Sequence, residues 1–200
     1  LSTSSAGIST VASSFTKAGT ETETLTYTST QQLNTTYHQV APGAGSTDIY
    51  YQFNIGAEGV PVQVEWVGYV QSTGDVYGVY FYNWGATAWE KVGSLNGASA
   101  ATVRTEIFIA TTAHVGTGAN DGLVRFRFES SGGAAGTNVA TDRLLCTYSV
   151  VANSGVVTSG VAQAGGDTSI TLATAASATN GTYDPAIVRL VGGTGSGQAR

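Results

Sequence analysis

"VRFRFE", Val124 to Glu129, decides the fold. Successive side chains of a β-strand point to opposite faces, so Val124, Phe126 and Phe128 fall on one side and Arg125, Arg127 and Glu129 on the other. Bulky apolar groups confined to one side mark a strand with one face on a core and the other in water. The same texture recurs outward in "DIYYQFNI" (Asp48 to Ile55), "VPVQVEWVGYV" (Val60 to Val70), "DVYGVYFYNW" (Asp75 to Trp84) and "AWEKVGSL" (Ala88 to Leu95). It continues in "TVRTEIFIA" (Thr102 to Ala110), "GLVRFRFES" (Gly122 to Ser130) and "RLLCTYSVV" (Arg143 to Val151). These stretches are short, rich in β-branched and aromatic residues, and separated by clusters of Gly, Asn, Asp and Ser. With no amphipathic helical stretch among them, they predict an all-β protein, an antiparallel β-sandwich or jelly roll.

Composition narrows the function classes. Of the 200 residues 42% are hydrophobic and only 10% charged, against about 25% charged in ordinary globular domains. Disorder by composition needs low hydrophobicity and high net charge, and this chain has neither. The net charge is −5, and the scattered Lys and Arg form no basic face of the kind that tracks phosphates, which argues against nucleic acid as a partner. No apolar run approaches the ~20 residues of a membrane-spanning helix, so no membrane partner is expected. Cys146 alternates with Leu144 and Tyr148 and reads as a small core residue; as the one cysteine it forms no disulfide framework. The chain starts at Leu1 and contains no Met, as a fragment or processed product would.

Three regions are expected. Residues 1–36 are rich in Ser and Thr with few large apolar groups, and "ETETLTYT" (Glu21 to Thr28) has a strand period; they read as an extended arm ordered by lying on a neighbour. Residues 37–152 form the sandwich. Residues 153–200 begin with a small-residue junction and continue into "SITLA" and "AIVRLV", two short strands that start a second small β module.

Catalytic signals are missing. "GGTGSGQAR" has phosphate-loop spacing between glycines, but Gln198 and Ala199 stand where Lys and Ser/Thr are required. His38 and His114 lack metal-ligand spacing and read as hydrogen-bonding residues of loops or strand ends. Glu65 and Asp142 could contribute to a calcium site, with turn or surface roles as the plainer reading. No enzyme activity, cofactor or metal is expected.

The aromatics remain. On the strand ending at Trp84, Val79 and Phe81 face the core, while Tyr80, Tyr82 and Trp84 face the other way. "GATA" (Gly85 to Ala88) then turns the chain toward Trp89. Tyr80, Tyr82, Trp84 and Trp89 are the candidate ligand-binding residues. Their rings suit hairpin packing, a subunit interface or the C–H faces of sugars.

The run from Tyr50 to Val150 resembles galactose-binding-like jelly-roll modules seen in phage virion proteins. In that pattern a "ydW…W..ig" hairpin precedes a "vRfRf" strand and a closing "D.l.v.y" strand. Tyr82, Trp84, Trp89, Val92 and Gly93 match the first part, Val124 to Phe128 the second, and Asp142, Leu144, Cys146 and Tyr148 the third. "ITLATAASATNGTYDPAIVRLVGGTGSGQAR" is similar to a second module of phage structural proteins. The resemblance implies a tail fibre, head fibre or baseplate component of a tailed-bacteriophage virion. It implies a homo-oligomer, often a trimer, with other virion proteins and a cell-surface glycan as partners. The alternative is a carbohydrate-binding module of a secreted or surface bacterial protein.

Overall fold

The period-two segments pair as antiparallel ladders in the computed structural model, which describes residues 7–43, 45–71, 74–98, 101–131, 138–150, 161, 163–165 and 170–171. In chain order the strands are β1 (Ile8–Val11), β2 (Ser14–Lys17), β3 (Thr22–Thr24), β4 (His38–Ala41), β5 (Ser46–Asn54) and β6 (Gly59–Gln71). They continue with β7 (Val76–Asn83), β8 (Ala88–Asn96), β9 (Arg104–Ile109), β10 (Leu123–Ser131) and β11 (Asn138–Val150). From β4 onward they alternate between two sheets, except that β7 and β8 form a hairpin within one of them, and the orders are β4-β11-β6-β9 and β5-β10-β7-β8. That interleaving is the double Greek key of an eight-stranded jelly roll. All seven stretches read from the sequence are strands; β4, "HQVA", is the eighth.

The two inner faces meet over one core. Phe126 and Phe128 are fully buried, with Val79 and Phe81 from β7, Tyr51 and Phe53 from β5, and Trp66 and Leu144 from the opposite sheet. The rings interlock edge to face: Phe126 lies 5.1 Å from Phe81, 5.4 Å from Phe108 and 5.1 Å from Phe128. Buried polar atoms of this core are paired, as Trp66 Nε1 donates to Thr141 Oγ1 at 2.9 Å. Cys146 sits in the core as expected, and burial pushes its thiol up to about 12.

The expected arm on a neighbouring subunit is corrected by the strand pairing. β1 pairs with β11, β2 with β5 and β3 with β4 of the same chain. Its few large apolar groups do not prevent this, because a ladder is made of backbone groups that Ser and Thr supply as well as any residue. β11 carries β4 at Val139–Thr141 and β1 at Leu145–Tyr148 along one edge, and β6 along the other. The chain crosses between layers from β1 to β2 at Ala12, which is fully buried in the core and whose carbonyl accepts Gln31 Nε2 at 2.9 Å.

Two compact units divide the chain, Leu1–Val150 and Val151–Arg200. In the second, β12 (Ala164–Gly165) pairs antiparallel with β13 (Ile170–Thr171). The remainder of the expected "SITLA" strand, the "AIVRLV" strand and the "GGTGSGQAR" loop lie outside the described residues.

Candidate functional site

The outer face of the β5-β10-β7-β8 layer is set by register. Thr16, Tyr50, Arg127, Tyr80 and Lys91 are direct cross-strand neighbours running over five strands. One step along, Gln52 faces Arg125 and Tyr82 faces Trp89. The four ring residues picked from the sequence therefore share one face, and each is half-buried. Strand alternation predicted the face of Tyr80, Tyr82 and Trp84; the β7–β8 register places Trp89 with them, and the sheet register adds Tyr50, Gln52, Arg125 and Arg127, which were not among the candidates.

Rings and guanidiniums alternate in contact. The Arg125 carbon Cζ lies 4.7 Å from the Trp84 ring centre, 5.5 Å from that of Tyr50 and 5.6 Å from that of Tyr82. Arg127 Cζ lies 5.2 Å from Trp89 and 5.4 Å from Tyr80. These are cation–π distances, where the negative ring face attracts the cation. Trp89 reaches back over its own sheet, 5.2 Å from Tyr82 and 5.6 Å from Tyr50. The rings also brace each other: Tyr82 meets Trp84 edge-on at 5.0 Å.

Local hydrogen bonds hold the hairpin that carries Trp84 and Trp89. Asn83 Oδ1 accepts the Ala86 N–H at 3.0 Å, and Asn83 Nδ2 donates to Glu90 at 3.1 Å. The Trp84 N–H donates to the Ala113 carbonyl at 3.0 Å. Glu90 also meets the buried His114 at 3.2 Å, and these two side-chain partners hold its carboxyl below the usual range. The Trp84 Nε1 is buried and has no acceptor among the described residues. What Trp84 can offer a ligand is its carbon face. Gly78 is needed for Tyr80, since a Cβ there would stand 2.7 Å from the Tyr80 ring. Burial, followed by the Glu129 carboxylate beside it, raises the Tyr80 phenol. Beyond Tyr80 the face continues into an open depression of about 460 Å³ lined by Asp75, Gly78, Tyr80, Lys91 and Glu129 among others.

The two arginines differ in their partners. Arg127 donates through Nε and Nη2 to both oxygens of Asp48, at 2.6 and 2.8 Å, and again to Glu129 at 3.0 Å. Asp48 is the largest influence holding this guanidinium charged. Arg125 donates its Nε to the neutral Gln52 at 3.0 Å, and no carboxylate pairs with it among the described residues.

The other sequence candidates have partners within the fold. His38 is fully buried between Tyr51 Oη at 2.8 Å and Glu23 at 2.9 Å. His114 accepts the Thr111 N–H through Nδ1. Glu65 pairs with Arg143. Asp142, buried at an irregularity in the β11–β6 ladder, accepts the N–H groups of Asn34 and Thr35, each at 3.1 Å. Among the described residues no three acids, histidines or cysteines gather as a metal would need.

No family model matches the sequence, and no curated protein does. Solved structures are similar to it in fold. A mutant of the family 29 carbohydrate-binding module CBM29-2 in complex with cellulohexaose shares 11% identity over 70% of this chain and 91% of its own, with a TM-score of 0.45. The enzymatically active domain of bacteriophage CBA120 tailspike protein 4 shares 9% over 70% of this chain and 19% of its own, at 0.40. A chain of infectious bursal disease virus, Gt strain, shares 16% over 76% of this chain and 34% of its own, at 0.41.

Proposed function

We propose that the protein is a non-catalytic glycan-binding jelly roll whose ligand lies across the outer face of the β5-β10-β7-β8 layer. The observation that carries this reading is the placement of Tyr50, Tyr80, Tyr82, Trp84 and Trp89 on one half-open surface, interleaved with Arg125 and Arg127. Sugar rings present C–H faces that stack on aromatic carbon faces, while their hydroxyls need donors and acceptors close by. Gln52, Arg125, Asp48 and Glu129 supply both within this surface. The face is preorganised: each guanidinium and each indole is wedged by its neighbours, so little side-chain entropy is lost on binding.

Retention on a panel of immobilised oligosaccharides tests the reading. Trp84→Ala and Trp89→Ala are expected to weaken retention about tenfold or more, which corresponds to about 1.4 kcal/mol, while the folded baseline in circular dichroism is kept. Wild-type protein that binds no glycan in the panel would sink it.

A second reading is a structural component of a bacteriophage particle, in contact with copies of itself and other virion proteins, with an extracellular bacterial module as its alternative. The motif similarity of residues 170–200 to phage structural modules favours it. Light scattering on the full chain is expected to give a symmetric oligomer such as a trimer; a strict monomer at high concentration would count against it.

A further inference from the structure

The contrast between Arg125 and Arg127 points to the class of glycan. Arg127 is paired: three charge-assisted bonds tie it to Asp48 and Glu129, so its charge is compensated before any ligand arrives. Arg125 stands on the same strand and face, two residues away, with three rings around its cation and a neutral amide on its Nε. Neither of its Nη groups donates to any described residue, and neither is among the buried polar atoms that lack a partner. They therefore reach solvent. A guanidinium is weakly hydrated, planar and fixed in its protonated state, and its end-on pair of N–H groups matches the two oxygens of a carboxylate.

The geometry points to an acidic glycan as the ligand, with Arg125 taking the carboxylate of a uronic-acid-type sugar through its two Nη groups while Trp84 and Tyr82 stack the pyranose rings beside it. This rests on the glycan-binding reading. It explains why a chain with net charge −5 keeps an uncompensated cation in the middle of its aromatic surface. Gln52 holds Nε, so the fork cannot swing away. The rings hold its plane, so the donors keep one direction.

The test is a matched pair of probes on the full chain: an oligogalacturonate, and the same oligosaccharide with its carboxyl groups reduced to alcohols. Wild-type protein is expected to bind the acid form about tenfold more tightly than the reduced form. Charge-assisted bonds to a carboxylate exceed neutral ones by enough for that ratio. Arg125→Gln is expected to abolish the preference: it weakens the reduced form, which loses a donor and a ring brace, but weakens the acid form about tenfold more. Arg125→Lys restores part of it, because an ammonium keeps the charge without the fork. A measurement without any substitution guards against misfolded variants: added salt should weaken binding of the acid form and leave the reduced form unchanged. Equal binding of the two probes, or an acid preference that survives Arg125→Gln, would overturn the assignment and leave glycan binding standing. Acid binding that strengthens with salt would also overturn it, since net repulsion would then outweigh the local cation. Failure to bind either probe, together with every other glycan, would overturn the glycan reading itself.

Discussion

The sandwich has two outer faces, and the chain treats them differently. On the β5-β10-β7-β8 layer, rings and guanidiniums lie against each other and stay half-open. On the β4-β11-β6-β9 layer the chain roofs part of the surface with its own N-terminal segment. Tyr37 packs edge-on against Tyr69 at 5.0 Å, Gln39 donates to the Tyr69 hydroxyl, and Asp142 anchors Asn34 and Thr35. Val67, Tyr69 and Ala140 are buried there although they stand outside the main core. Further along, on the edge strand β9, Ile107 and Ile109 remain 53% and 63% exposed. The roof needs a special anchor: Thr35 adopts a φ of 63°, a left-handed conformation costly for a β-branched residue, and the Asp142 carboxylate holds it. The other face needs no roof because each ring already has a cation against it, which leaves a surface that water tolerates.

The largest effect should come from what the two faces share. Phe126→Ala removes a ring that touches three others at the centre of the core, and a loss of about 3–5 kcal/mol is expected in chemical denaturation. Glycan retention and protection of the roof should fail together; survival of either would show that the layers fold more independently than their common core implies.

A smaller effect should separate the faces. Asp142→Ala leaves the Asn34 and Thr35 N–H groups without their acceptor and is expected to cost about 2–3 kcal/mol. Hydrogen exchange at residues 34–37 should quicken, while glycan retention below the unfolding transition stays unchanged. A parallel loss of retention would break the comparison.

The smallest effect concerns pH. Burial, the largest influence, depresses the His38 imidazole below 6.5 against the opposing pull of Glu23. The folded state thus holds His38 neutral where the unfolded chain would protonate it. The unfolded state binds more protons, so stability is full above about pH 6.5 and declines as pH falls below it. The slope for one group cannot exceed about 1.4 kcal/mol per pH unit. The Glu23 carboxyl, held low chiefly by its bond to His38, adds a loss of the same sign further down, below its usual 4.5. Urea denaturation between pH 7 and 5 should show this slope, and His38→Asn should flatten it. An unchanged slope in that variant would place the titration elsewhere.

Much of this architecture was legible in the sequence, and the part that was not has a physical reason. The seven apolar-alternating strands announced themselves, because each needs one greasy face. β4 did not, since its buried faces are His38 and Val40 and the histidine is made tolerable only by Tyr51 and Glu23 from elsewhere in the chain. Of the arm strands, β3 was marked by the strand period of Glu21 to Thr28, although the strand ends at Thr24 and a 3-10 turn takes Tyr27–Thr30; β1 and β2 have almost no apolar signature and are held by backbone ladders. The candidate face was half legible. Alternation placed Tyr80, Tyr82 and Trp84 away from the core, and Arg125 and Arg127 away from theirs. That these two sets face the same water depends on the β10–β7 register, and the reach of Trp89 across to Tyr50 depends on packing. Neither is a local property.

The crossing at Ala12 has a consequence for how the protein tolerates change. The chain passes there from one layer to the other at the margin of the core, with zero exposure and its carbonyl tied to Gln31. The Ala12 methyl is fully enclosed there by the packed core. A bulkier side chain would act as a wedge, prising the first two strands from their separate sheets at about 1–3 kcal/mol of overpacking. Position 12 is therefore a constrained core position, in a segment whose composition reads as an extended arm.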